Sequence, residues 1–116
     1  MTVTEFLAAF ENGQRHFKGL VFEYEEGFSN KNFSNIIFEN CFLFIDFRKS
    51  NLSNSRFIHC NLKEIDLRDT DLTNALMTKC LVEGATFKGA TVTNFKFTEN
   101  YYFGVTLNQE DFSKLN

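Results

Sequence analysis

An all-β solenoid built from four-sided coils is predicted by three observations. Pentads centred on Phe33, Leu52, Leu72, Val92 and Phe112 recur every 20 residues, once after 19. Within that period runs a shorter one, since every fifth residue from Leu52 to Phe112 is Leu, Phe, Met, Val or Tyr. The positions between are mostly Asn, Asp, Ser, Thr, Lys and Glu, as a solvated surface requires. A period of five nested in one of 20 describes four short straight segments per coil, each side stacked on the same side of its neighbours. The 116 residues are expected to form a single domain.

Residues 2–12 read as a helix. Thr2 and Glu5 have the spacing of a capping box, Phe6, Leu7 and Phe10 form one apolar stripe, and Gly13 is the expected left-handed terminator. An array of stacked coils must cover its ends, and this helix is the natural N-terminal lid. The solenoid is assigned to residues 15–114. Phe17 and Phe22 serve as irregular entry pentads over residues 17–30, and a one-residue phase shift near Glu23-Tyr24-Glu25-Glu26-Gly27 suggests a loop or bulge. The register slips again, one residue short, between Leu43 and Phe47.

Sorted by side, the predicted core comprises four columns: Phe33, Leu52, Leu72, Val92, Phe112; Phe38, Phe57, Met77, Phe97; Leu43, Leu62, Val82, Tyr102; and Phe47, Leu67, Phe87, Leu107, preceded by Phe28. They define coils 31–49, 50–69, 70–89 and 90–109 with part of a fifth. The position two residues before each central one shares the lumen and should be small. It reads Ser50, Ser55, Cys60, Ile65, Thr70, Ala75, Cys80, Ala85 and Ala90, with Phe95 as the large exception. Asn35, Asn54, Asn74 and Asn94 recur at a corner, where Asn tolerates left-handed backbone and could stack its amides into a ladder. Gly84, Gly89 and Gly104 fall at corners as well.

The small–polar–apolar–polar–polar pentad resembles the pentapeptide-repeat family, whose consensus is Ala-(Asp/Asn)-Leu-X-X. The best local matches are Ser50-Asn51-Leu52, Cys60-Asn61-Leu62, Ile65-Asp66-Leu67 and Thr70-Asp71-Leu72. The chain departs from the family in its heavy use of Phe at the centre and in the scarcity of Ala before residue 75. The resemblance implies a right-handed quadrilateral parallel β-helix with a short N-terminal capping α-helix. It further implies kinship with members that bind DNA gyrase and protect it from fluoroquinolones, and with members that dimerise end to end.

Composition narrows the function. A net charge of −3, from 12 basic and 15 acidic residues, argues against nucleic-acid binding, which needs a basic stripe. There is no long apolar run to span a membrane, and Met1-Thr2-Val3-Thr4-Glu5 lacks the basic and apolar regions of a secretory signal, so a cytoplasmic protein is expected. Cys41, Cys60 and Cys80 lie 19 and 20 residues apart in one inward column, which reads as buried free thiols. Asn100, the next rung, ends any metal pattern. A lumen filled with Phe and Leu offers no catalytic, cofactor or metal site; His59 stands outward beside Lys79 and Glu99 of the neighbouring coils, and no Ser/His/Asp or Cys/His arrangement involving His16 or His59 follows from the columns.

Leu76, Leu81, Tyr101 and Phe103 depart from the polar exterior and are the candidate interaction surface. The expected function is a non-enzymatic β-helical scaffold that binds a protein partner. A DNA-mimicking gyrase binder and an immunity protein against a toxin are the alternatives. No C-terminal capping helix is expected after Phe112, so the last coil would be buried either by an end-to-end homodimer or by Phe112 and Leu115 folding across it. Asp111 and Lys114, placed to pair across a two-fold axis, favour the dimer.

Overall fold

Side-chain hydrogen bonds that replace missing backbone partners shape both ends of this chain. A computed structural model describes residues 1–115. At the N-terminus, helix α1 (Val3–Glu11) is capped by Thr2, whose hydroxyl accepts the Glu5 N–H at 3.1 Å while the Glu5 carboxylate accepts the Thr2 N–H at 2.8 Å. It stops in a Schellman turn: the Gly13 N–H reaches the Phe10 carbonyl and the Gln14 N–H the Ala9 carbonyl, with Gly13 at φ 101°. Arg15 then stacks its guanidinium 3.9 Å from the Phe10 ring centre and donates to the Phe10 carbonyl.

The solenoid follows. Strands β1 (His16–Lys18), β3 (Ile37–Glu39), β5 (Arg56–Ile58), β6 (Leu76–Thr78) and β7 (Lys96–Thr98) stack in parallel as one five-stranded side, with β2 (Val21–Gly27) and β4 (Phe42–Asp46) on the next. Phe17, Phe38, Phe57, Met77 and Phe97 stand directly over one another. The remaining sides are isolated parallel bridges, such as Asn51 with Asp71 and Asp71 with Thr91. Each coil donates N–H groups to both neighbours, as in Leu52 N–H to Asp71 O of the next at 2.9 Å and Asp71 N–H to Ser50 O of the preceding one at 3.0 Å.

The corners explain the polar letters of the pentad. The residue two after each centre is left-handed: Asn35, Asn54, Asn74 and Asn94 have φ of 67°, 60°, 60° and 55°, and Gly84 and Gly89 share the conformation. The Asx residue one before the centre closes the turn, its oxygen accepting the N–H two residues on, as Asn51 does from Ser53 and Asp71 from Thr73. The corner asparagines form no amide ladder among the described residues; their service is conformational.

The two irregularities have distinct geometries. Phe22 pairs with Leu43 and Glu26 with Ile45, so Glu23, Tyr24 and Glu25 bulge outward opposite the single residue Phe44. The slip before Phe47 is a corner that never forms. Strand β4 runs straight through it, placing Cys41, Leu43, Ile45 and Phe47 all inward by simple alternation.

Most predicted core columns are buried, from Phe33 to Phe87 and at Phe97. Phe6 enters the mouth of the solenoid as a stopper, its ring centre 4.7 Å from that of Phe17 and about 6 Å from Phe33 and Phe38. The C-terminal end requires four corrections. Val92 and Tyr102, assigned to the core, are 40% and 38% exposed because no further coil lies over them. The fourth coil does not run to residue 109: the chain reverses at Phe103-Gly104 into an antiparallel hairpin of β8 (Asn100–Tyr102) and β9 (Val105–Leu107). Leu107 and Phe112 keep their five-residue spacing but are only half-buried, Leu107 in β9 and Phe112 in a 3-10 helix, Gln109–Lys114. The end is therefore covered within the chain, by the second of the two arrangements expected, with Phe112 and Leu115 packed across it. Phe112 sits 5.1–5.2 Å from Phe87, Phe95 and Phe97, which also accounts for the oversized Phe95. Gln109 Oε1 and Asn108 Oδ1 accept the Phe97 and Glu99 N–H groups, standing in for the carbonyls of an absent coil. The exposed coil that motivated an end-to-end homodimer is not present.

Candidate interaction face

The four sides carry different chemistry. The side with Asn51, Ser53, Asp71, Thr73, Thr91 and Thr93 is hydroxyl and amide with one carboxylate. The β1–β3–β5–β6–β7 side mixes Arg56, Leu76 and Lys96 in adjacent rungs. The side holding Asp46 and Asp66 is an ion-pair lattice. Arg48 grips Asp46 through both carboxylate oxygens (3.0 and 2.8 Å), Arg68 grips Asp66 likewise (3.0 and 2.7 Å), and Arg48 Nε reaches Asp66 at 3.6 Å. The arginine hydrogen bonds hold both carboxyls below the ordinary carboxylate range, against the opposing effect of burial.

The remaining side is apolar. Val21, Phe42, Asn61, Leu81 and Tyr101 form one outward ladder, each in register with the next. Val21, Tyr24, Phe42, Tyr102, Phe103 and Val105 are six of the eight exposed large hydrophobic residues among those described, and all lie on this side or its terminal hairpin. Of the predicted surface, Leu81, Tyr101 and Phe103 come together here; Leu76 lies on the neighbouring side, in β6. The sequence reading missed Val21, Tyr24 and Phe42 because the bulge and the straightened corner take this stretch out of the repeat. A signal was present in Phe42-Leu43-Phe44-Ile45, a continuous apolar run where a half-solvated strand should alternate.

The hairpin at the end of this side is strained. Phe103 and Gly104, at φ 48° and 78°, are the two left-handed residues of a type I′ turn, a conformation that a bulky side chain rarely adopts. Phe103 is 73% exposed, its N–H is held by Glu83 Oε1 at 2.9 Å, and its ring meets Tyr102 edge-on at 4.8 Å.

No cluster of three or more metal-ligating side chains occurs among the described residues. Cys41, Cys60 and Cys80 are buried free thiols whose sulfurs lie 3.3–3.6 Å from backbone carbonyls of their own and the preceding coil. Its hydrogen bond with Cys60, then burial, push the Cys41 thiol far above its ordinary value. For Cys60, Cys41 acts to lower the value, but Cys80 and burial prevail and push it up to about 12. Asn100 completes the column with its amide accepting from Cys80 N–H at 2.9 Å and donating to Met77 O at 3.0 Å. His16 pairs with Glu39 at 2.9 Å on the exterior.

Residues 50–89 and 65–99 match the sequence profile of the Pentapeptide repeats (8 copies) family. Curated protein sequences give no significant match. Among solved structures, QnrB1, a plasmid-mediated fluoroquinolone resistance protein, aligns with a TM-score of 0.58 at 18% identity, over 74% of this chain and 52% of that one. HetL, a pentapeptide repeat protein involved in heterocyst differentiation regulation from the cyanobacterium Nostoc sp., aligns with a TM-score of 0.55 at 24% identity, over 86% of this chain and 42% of that one. The chain thus spans about half the length of QnrB1 and less of HetL, and at these identities the likeness is one of fold.

Proposed function

The chain belongs to the pentapeptide-repeat family, and we propose that it acts as a non-enzymatic scaffold whose apolar side docks on a protein partner. The observation that carries this reading is the gathering of exposed apolar residues on one of four otherwise polar sides, continued onto a strained aromatic hairpin. Flat apolar patches rimmed by polar groups and rich in aromatics are the usual cores of protein interfaces. An immunity protein is a special case of the same reading, with a toxin as the partner. Duplex mimicry draws less support, since Arg48 and Arg68 neutralise the carboxylates on the side best placed for a negative track. The test is a photoreactive amino acid at Tyr101 of the full chain in its native cell, with Thr93 on the opposite side as control. One protein should be captured from position 101 and lost when Phe42→Ser and Phe103→Ser are added. Identical capture from both positions would remove the support for this face.

A further inference from the structure

The apolar ladder has one gap. Asn61 stands third, between Phe42 and Leu81, and its Oδ1 takes the Lys63 N–H at 3.1 Å, which folds the short side chain against its own backbone. The result is a depression of about 380 Å³ framed by Phe42 and Leu81, with Val21 and Tyr101 beyond. Rungs stand about 4.8 Å apart, so the frame opens about 10 Å, room for one large apolar side chain. One long wall is the corner column from which His59 and Lys79 project, both left-handed and exposed. No carboxylate lines the depression, and neither His59 nor Lys79 has an ion-pair partner among the described residues. Of the nearby acids, Glu83 Oε1 holds the Phe103 N–H and the Glu64 carboxylate lies across the bare Cα of Gly84, while Glu99, exposed on the rung after Lys79, lies outside the depression and forms no ion pair with Lys79 among the described residues.

We propose that this depression anchors a partner segment presenting one large apolar side chain with an Asp or Glu immediately beside it, the carboxylate meeting Lys79 and His59. The proposal deepens the docking reading above and rests on it. The apolar frame supplies affinity, and the unpaired Lys79 ammonium selects the neighbour, because a basic residue there would face like charge while an acidic one completes a rim ion pair.

Three dipeptides, N-acetyl-Phe-Glu-amide, N-acetyl-Phe-Gln-amide and N-acetyl-Phe-Lys-amide, provide the test when titrated into the full ¹⁵N-labelled chain. Amide shifts should centre on residues 41–42, 60–61 and 80–81. The Glu dipeptide should bind about threefold more tightly than the Gln one, as one exposed ion pair allows, with the Lys dipeptide weakest. Lys79→Glu should invert that order; should it melt abnormally, His59→Glu gives the same readout. Equal binding of all three dipeptides would overturn the acidic neighbour, and shifts centred elsewhere, or none, would overturn the anchor. Neither result touches capture from Tyr101, which tests the face independently.

Discussion

Ser50 and Ser55 occupy the same inward slot on successive sides, yet only one is satisfied. Ser50 Oγ donates to Phe28 O at 2.6 Å and accepts from Lys31 N–H at 3.1 Å, whereas Ser55 Oγ is fully buried with no partner among the described residues. A buried hydroxyl without a partner costs about 1–3 kcal/mol, most of which vanishes with the hydroxyl. Ser55→Ala is therefore expected to stabilise the fold by about 1 kcal/mol and Ser50→Ala to destabilise it by about as much. Thermal melts of the two variants decide it, and a drop in Tm for Ser55→Ala would show the slot is misjudged. At this scale the sequence was highly legible. Inward and outward positions follow from a five-residue count that needs only local information, and Leu52, Leu62 and Leu72 are buried where the count puts them. What the count could not convey is whether a given hydroxyl finds a carbonyl.

At the scale of elements, legibility ended where the chain leaves the coil. Tyr102, Leu107 and Phe112 keep the period of five, so the pattern reads on as solenoid while the backbone turns back. The informative letters were Phe103-Gly104, because two left-handed residues in a row make a hairpin turn and Gly permits one of them. Phe in the other place disguised it, since Asn is the residue such a turn favours. Phe103→Asn should accordingly relieve strain and raise stability by about 1 kcal/mol. The same change removes one of the two most exposed rings of the docking side, so capture from position 101 should weaken. A variant that gains stability and keeps full capture would show that the strain serves no binding purpose. The apolar side was half-seen for a related reason: its N-terminal part lies at the bulge and the missing corner, where an inserted or omitted residue exchanges inward and outward positions.

The whole molecule measures 37 × 26 × 20 Å, and its ion-pair side makes its stability depend on acidity. Asp46 and Asp66 have folded pKa values below those of the unfolded chain, so their contribution is complete above about pH 4 and fades as pH falls through the lower folded values. The Tm gap between the native chain and Asp66→Asn should thus be widest near neutrality and shrink as pH falls through the lowered folded value; a gap independent of pH would mean the pairing adds nothing. The stacking of the coils also governs how the molecule bears load. Strands run across the stack of coils, the bonds joining one coil to the next point along it, and helix α1 and the 3-10 helix cover its opposite poles with Phe6 and Phe112. Tension between the poles therefore loads one layer's bonds at a time, and the rod comes apart as a zipper does. The outer coil peels first, and each 20-residue turn set free lengthens the tether by about 70 Å while the layers beneath stay intact.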